Sequence, residues 1–252
     1  MLRIKLLFAG LAIALSFGNA AHAATINFDL TDPDSRNNIY NSTYAKQYNY
    51  QESGLNLSVT GWSYNSNKVV VQDWVGKWDG LGVEKVDSPN HAVDNENGDF
   101  DMLLLSFDKA VTLKSIDLGW ISGDSDMSFM AFNGGGAFDS NSLLGKKWEM
   151  LIGNGWQSAG NYYNVDYGAN SGTINHSNII SQYWLVGAYN NALGSFNNFN
   201  QNLSSKTDYF KVKGVGLELP PDSPPVRVPE SGSLMLVLLG FAGLLLARRR
   251  KV

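Results

Sequence analysis

The 252-residue sequence contains no cysteine, and this absence excludes several kinds of chemistry. Disulfide bonds, thiolate nucleophiles and zinc sites built on cysteine all need side chains that the chain lacks. Histidine is scarce too, since only His91 and His176 follow His22 in the N-terminal apolar segment, and no Gly-x-Ser-x-Gly motif is present. We therefore expect a protein that is not an enzyme. Paired carboxylates, as in glycoside hydrolysis, are the arrangement that residue counts leave open.

Helical periodicity is also lacking between residues 24 and 219, where no segment of twelve or more residues shows a 3.6-residue apolar stripe. Apolar residues alternate instead, as in LNLSVTGW, in KVKGVGLEL, and in SIDLGW, which places Ile116, Leu118 and Trp120 on one face. The denser runs DMLLLSF and KVVVQDW are typical of strands covered on both faces. The pattern predicts an all-β domain over residues 24–219, an antiparallel β-sandwich of jelly-roll type.

The first 23 residues have the features of a secretory signal. Arg3 and Lys5 precede an apolar stretch, and Ala21 and Ala23 give the small-x-small arrangement that signal peptidase requires. We expect cleavage after Ala23 by signal peptidase. An uncleaved signal anchor is the alternative.

An apolar run near the C-terminus, Leu234 to Ala247, has no charge and ends in a basic block. Its fourteen residues span about 21 Å as a helix, which is short of the roughly 30 Å hydrocarbon core. The block Arg248, Arg249, Arg250 and Lys251 favours the cytoplasmic side and acts as a membrane stop. The sequence therefore predicts a transmembrane helix that holds an exported domain by its C-terminus, and a buried core helix is the alternative.

The residues around this run resemble the PEP-CTERM sorting signal of Gram-negative bacteria. Pro229, Glu230 and Ser231 come first, then the short apolar helix, then the arginines. In that family the segment is thought to be cut by exosortase, an integral-membrane cysteine transpeptidase, which sends the protein to the cell surface or the exopolysaccharide matrix of biofilms. The resemblance implies a sorting signal over residues 229–252 and an inner-membrane tether that is transient.

The tail departs from the name-giving pattern at Ser231, where a second proline usually stands. Two other kinds of tail fit less well. No Leu-Pro-x-Thr-Gly precedes the run, as a sortase signal would require, and GPI signals do not normally end in four cations.

The middle of the chain carries a second resemblance. Residues 80–132, which begin GLGVEKVDSPNHAVDNENGDFDMLLLSF, look like the central region of exosortase-dependent surface proteins of the first type. No catalytic residues follow from this resemblance.

Residues 24–228 hold 13 basic and 22 acidic side chains, a formal net charge of −9. A nucleic-acid partner would need the opposite balance, so we expect none. The prolines of residues 220–228 predict an extended stalk between the domain and the sorting signal, with a disordered tether as the alternative.

Two sets of acidic residues are candidates for a metal site. Asp94, Glu96, Asp99 and Asp101 surround Gly98, and oxygen ligands in a glycine-containing turn suit Ca²⁺, although the spacing is not that of an EF-hand loop. The alternative is that these acids supply hydrogen bonds to a turn. The pair Asp124 and Asp126 has the same two interpretations. Calcium is the one cofactor that the sequence suggests.

Seven tryptophans give the domain an unusual amount of indole. Exposed indoles stack on sugar rings in many carbohydrate-binding modules, whereas buried ones fill a sheet core. Trp74 and Trp78, in DWVGKWDG, lie near turn residues and are the candidates for sugar stacking.

Two functional hypotheses follow. The first is an exported, non-catalytic protein of the cell surface or extracellular matrix, associated with exopolysaccharide. The second is a carbohydrate-binding module, calcium-dependent in one version, delivered by the same sorting signal. A contiguous exposed aromatic patch would favour the second.

Overall fold

A computed structural model describes residues 25–84, 91–166, 172–193, 198–199, 203–204 and 206–220. Within these residues the chain is all-β, as predicted, and its helical segments are 3-10 turns of three or four residues. The predicted signal peptide (1–23) and sorting signal (229–252) lie outside the described residues, as do residues 221–228 of the stalk. None of the described helices has the length and apolar character needed to cross a bilayer.

Thirteen strands are described, and most are 4 to 11 residues long. They are β1 (Thr25–Asp29), β2 (Ser35–Ile39), β3 (Tyr44–Glu52), β4 (Leu55–Tyr64), β5 (Val70–Lys77), β6 (Leu81–Glu84), β7 (Val93–Asp94), β8 (Met102–Gly123), β9 (Met127–Phe132), β10 (Trp156–Tyr162), β11 (Ser181–Ala188), β12 (Asn198–Phe199) and β13 (Asp208–Glu218).

All these strands belong to one hydrogen-bonded sheet, whose path closes through β13, β6, β5, β4 and β8 back to β13. The 22-residue β8 makes this closure possible. Its first part, from Met102 to Phe107, pairs with β4 and β11, and its second part, from Thr112 onward, pairs with β13. The all-β prediction is therefore confirmed. The described strands do not separate into the two sheets of the predicted sandwich, because β8 continues through both regions.

The first part of β8 is covered on both faces, as its dense apolar run predicted. Leu103 and Leu105 belong to the larger core, and Met102 and Leu104 belong to a second one. All four are at most 1% exposed. Burying a side chain of this size stabilises the fold by about 1.5–3 kcal/mol, so β8 anchors both cores.

Four of the seven tryptophans are core residues, at most 4% exposed: Trp62, Trp148, Trp156 and Trp184. Trp74 and Trp120 are half-buried, and Trp78 is exposed. Core packing therefore accounts for most of the indole, and three tryptophans are left at the surface for another role.

The two ends of the described domain lie side by side. Thr25 at the start of β1 pairs with Glu218 at the end of β13 in antiparallel register. The chain segments before β1 and after β13 therefore leave the domain at the same edge.

Candidate functional site

The surface tryptophans Trp78 and Trp120 line one cleft of about 530 Å³ together with Asp79 and Lys211. This volume lies within the range of small-ligand sites. We call this feature the indole cleft. Its walls come from three places in the sequence: the turn between β5 and β6, the second part of β8, and β13.

A β-bulge aims Trp120 into the cleft. Leu118 pairs with Val212 and Ile121 pairs with Phe210, so two residues of β8, Gly119 and Trp120, lie opposite the single residue Lys211 of β13. A bulge of this kind interrupts the alternation of side chains along a strand. Trp120 is therefore half-buried and lines the cleft, whereas Ile116 and Leu118 stay on the core face.

Two glycines hold the turn that carries Trp78 and Asp79. A Cβ at Gly119 would overlap the carbonyl oxygen of Asp79, so only glycine lets the turn approach β8 this closely. Gly80 has φ +117° and its missing Cβ would lie 3.0 Å from the backbone of Val212. The turn is closed by a hydrogen bond of 2.9 Å from the Trp78 amide to the Gly80 carbonyl.

Trp78 is 72% exposed, whereas Lys211 is only 2% exposed. The Lys211 ammonium lies 5.8 Å from the centre of the Trp78 ring and donates a hydrogen bond of 2.9 Å to the carbonyl of His91. Burial lowers the pKa of Lys211 to about 8, and the nearby Asp79 carboxylate opposes this shift. The cleft thus presents apolar ring faces beside one ammonium and one carboxylate.

Trp74, the other candidate for sugar stacking, is not among the residues that line this cleft. It is half-buried, with the Lys46 ammonium 4.4 Å from its ring centre and the Tyr40 ring centre 5.5 Å away. The structure therefore pairs Trp78 with Trp120 and not with Trp74.

A second feature is a group of three buried carboxylates, Asp124, Asp126 and Asp208, which we call the acid centre. Each offers an oxygen that lies within 4.8 Å of the others, and no residue of the three is more than 5% exposed. Asp124 and Asp208 are joined by an isolated parallel β-bridge, so the start of β13 is brought against the end of β8.

Hydrogen bonds from several segments hold the acid centre in place. Asp126 accepts bonds from the amides of Asn164 (2.9 Å) and Ser204 (2.7 Å). Asp124 accepts bonds from the Ser125 amide (2.9 Å) and the Ser204 hydroxyl (2.6 Å). Both oxygens of Asp126 and both oxygens of Asp124 therefore accept a hydrogen bond, which fixes the orientation of the two carboxylates.

Asp208 is held in the same way, by the Asp126 amide at 2.8 Å and the Asn95 side-chain amide at 2.5 Å. Burial, followed by the charges of Asp126 and Asp124, raises the pKa of Asp208 to about 8 despite the amide bond from Asp126. Burial also raises the pKa of Asp126 to about 6, and its two amide bonds oppose the shift. Three carboxylates this close and this dry are costly to ionise together.

A bound cation would remove that cost. Three carboxylates are a hard oxygen donor set, the kind that Ca²⁺ takes, and water or carbonyl oxygens would complete its six to eight ligands. Asn95 and Ser204, which both bond to the acid centre, also line a pocket of about 260 Å³. The residues present therefore fit a calcium ion.

Within the described residues, no three of the loop acids Asp94, Glu96, Asp99 and Asp101 bring carboxylate oxygens within this distance of one another. Asp94 accepts the amide of Glu96 at 3.0 Å, as in a turn. Asp99 forms an ion pair of 3.4 Å with Lys68, and Glu96 is exposed. Of the acids named from the sequence, the structure brings together Asp124 and Asp126.

Sequence reasoning missed Lys211 and Asp208, and did not single out Trp120. Lys211 interrupts an apolar run in β13, and Asp208 is the first residue of that strand. A charged residue inside or at the start of a buried strand is a signal for a specific partner, but the partner itself is set by the tertiary fold.

No protein-family model, no curated protein and no solved structure matches this chain.

Proposed function

We propose that the protein is an exported, non-catalytic surface or matrix protein that binds carbohydrate through the indole cleft. The observation that carries this proposal is the pairing of Trp78 and Trp120 in one cleft with Asp79 and Lys211. Sugars have apolar C–H faces that stack on indole and hydroxyl groups that bond to charged side chains. The cleft offers both kinds of contact.

A non-catalytic role is supported by how the acids are distributed. Among the four residues described as lining the cleft, Asp79 is the one carboxylate, whereas glycoside hydrolysis uses two. Asp126 and Asp208, whose pKa values burial raises to about 6 and about 8, are fully buried. Their positions suit a structural ion better than a substrate.

Calcium forms the second part of the proposal. The acid centre takes the place of the loop acids as the calcium site, because its three carboxylates converge and are buried. There the ion would join the end of β8 to the start of β13 and to Ser204. Its role is to stabilise the domain.

The proposed export and sorting rest on the two terminal segments of the sequence. Signal peptidase removes residues 1–23, the helix of residues 234–247 tethers the chain to the inner membrane, and exosortase cuts near Ser231. For the domain between these signals, the jelly-roll type remains our finer proposal, now with one continuous sheet whose regions are joined by the long strand β8. The mature protein then stays at the surface or in the exopolysaccharide matrix of a Gram-negative bacterium.

The test of carbohydrate binding compares tryptophan variants. We expect Trp78→Ala and Trp120→Ala each to weaken binding to exopolysaccharide from the host by about tenfold, because each removes a stacking surface. Trp74→Ala is the matched control and should leave the affinity unchanged. Equal binding by all three variants and the wild type would overturn the proposal.

A further inference from the structure

The indole cleft contains one positive and one negative side chain, and their placement bears on which sugars fit. Lys211 is almost completely buried from solvent, yet it is one of the residues that line the cleft. Of its three N–H donors, one goes to the His91 carbonyl. The ammonium is thus held at the floor of the cleft, beside the Trp78 ring.

Asp79 lies at the rim. It is exposed, has φ +54°, and is fixed by the glycine contacts that hold its turn against β8. Its carboxyl carbon is close to Gly119, the residue before Trp120. A ligand stacked on Trp120 would therefore lie beside the Asp79 carboxylate. The negative charge of Asp79 offsets the positive charge of Lys211.

We propose that the indole cleft selects uncharged glycans over acidic ones. This inference rests on the proposed carbohydrate-binding function and names its ligand class. A neutral pyranose can donate hydroxyl protons to Asp79 and accept a bond from Lys211, so both charged groups gain a partner. A uronic acid would bring a carboxylate beside Asp79, and like charges in a partly desolvated cleft repel each other.

The charge of the whole domain acts in the same direction. Residues 24–228 carry 13 basic and 22 acidic side chains, a net of −9, so an acidic polysaccharide is repelled before it reaches the cleft. An isolated ammonium would favour acidic ligands. Here the Asp79 carboxylate balances the charge of Lys211, and the net charge of −9 on residues 24–228 outweighs it.

The test is isothermal titration of the full chain, purified in a detergent without a sugar headgroup that would compete for the cleft. The probes are neutral gluco- and manno-hexasaccharides and, as acidic counterparts, hexamers of galacturonate and mannuronate. We expect the best neutral probe to bind about tenfold or more tightly than the best acidic one at 0.15 M salt. Asp79→Asn should weaken neutral binding and reduce this preference, whereas Asp32→Asn, the same change at another exposed site, should change neither.

The outcomes separate this inference from the function on which it rests. Acidic hexamers that bind as tightly as neutral ones, through Trp78 and Trp120, would overturn the selectivity and leave carbohydrate binding standing. An unchanged preference in Asp79→Asn would remove Asp79 as its source and also overturn the inference. If no probe binds and host exopolysaccharide does not bind either, the function itself is wrong. Lys211→Met, which keeps an apolar stem, should weaken both classes.

Discussion

The backbone amide of Asp126 donates a hydrogen bond of 2.8 Å to the carboxylate of Asp208, which lies 82 positions further along the chain. This bond and the parallel bridge beside it close the acid centre and fix where β13 begins. The stability of the domain should therefore respond to whatever neutralises these carboxylates.

The first prediction concerns calcium. At a concentration about 100 times its Kd, Ca²⁺ should stabilise the folded domain by about 2.7 kcal/mol, because it binds only that state. For a domain of this size the melting temperature should rise by roughly 5–10 °C, as measured by calorimetry with and without chelator at matched ionic strength.

The control for calcium is Asp124→Asn, because the structure shows how an amide can fit there. Its oxygen can keep the bond from the Ser125 amide, and its NH₂ group can donate to the Ser204 hydroxyl, which then acts as acceptor. This variant should fold and lose most of the calcium response, whereas Asp32→Asn should keep it. A full response in Asp124→Asn would place the ion elsewhere.

The second prediction concerns pH without calcium. The folded-state pKa values of Asp126 (about 6) and Asp208 (about 8) are raised above the ordinary 3.8, so the folded state binds these protons more tightly than the unfolded state. Their contribution to the unfolding free energy is therefore full below pH 4 and is lost as pH rises through about 6 and then about 8.

Urea unfolding at pH 5 and pH 8 measures this loss, which we expect to be a few kcal/mol, about 1.4 kcal/mol per pKa unit. Asp124→Asn should show a smaller loss because one repelling charge is gone. An equal loss in the variant and the wild type would show that other groups set the pH dependence.

The third prediction tests the close contact between Gly119 and Asp79. Gly119→Ala should displace the turn that carries Trp78, lowering the unfolding free energy by about 1–3 kcal/mol and weakening glycan binding. Gly135→Ala is the matched control, since no atom lies within 4 Å of its added Cβ. Chemical denaturation measures the stability of both variants, and glycan titration measures their affinity. Equal stability and equal affinity in Gly119→Ala and Gly135→Ala would refute the contact.

The fourth prediction concerns sorting. The mature protein should end near Ser231 and lack residues 234–252 in a host that contains an exosortase. Intact mass and peptide mapping of the envelope fraction and the medium measure this directly. Recovery of most of the protein with LARRRKV attached would show a permanent anchor.

Changing Arg248, Arg249 and Arg250 together to Ser probes the same signal. Export should continue, because this change leaves the proposed N-terminal signal intact, but C-terminal processing should fail, because the proposed cationic stop is lost. Normal processing of this variant would contradict the role given to the arginines.

Apolar alternation and dense apolar runs predicted the strands well where one face or both faces of a strand are buried. The alternation from Leu55 to Val59 lies in β4, and the dense run of Leu103, Leu104 and Leu105 lies in the doubly covered part of β8. These patterns depend on period and burial alone, which the sequence contains. They do not reveal that β8 continues for 22 residues and joins DMLLLSF and SIDLGW, which the patterns present as separate segments, into one strand.

The indole cleft was harder to predict because it depends on a β-bulge, which breaks the two-residue alternation of side chains along β8. Alternation from Ile116 assigns Trp120 to the core, and the bulge opposite Lys211 redirects it. The acid centre depends on tertiary contacts instead. Asp124 and Asp126 were visible as a pair, but Asp208 joins them only through the pairing of β8 with β13.

The pairing of Thr25 with Glu218 has a mechanical consequence. A pull on the chain beyond Pro220 enters the domain through β13, which is bonded to β1, β6, β7 and β8. A load along a strand is shared by its hydrogen bonds in parallel, so many must fail at once. All five residues of β1 pair with β13, so the N-terminal strand shares the load at the point where the force arrives. The domain should therefore resist unfolding by forces applied through its C-terminal end.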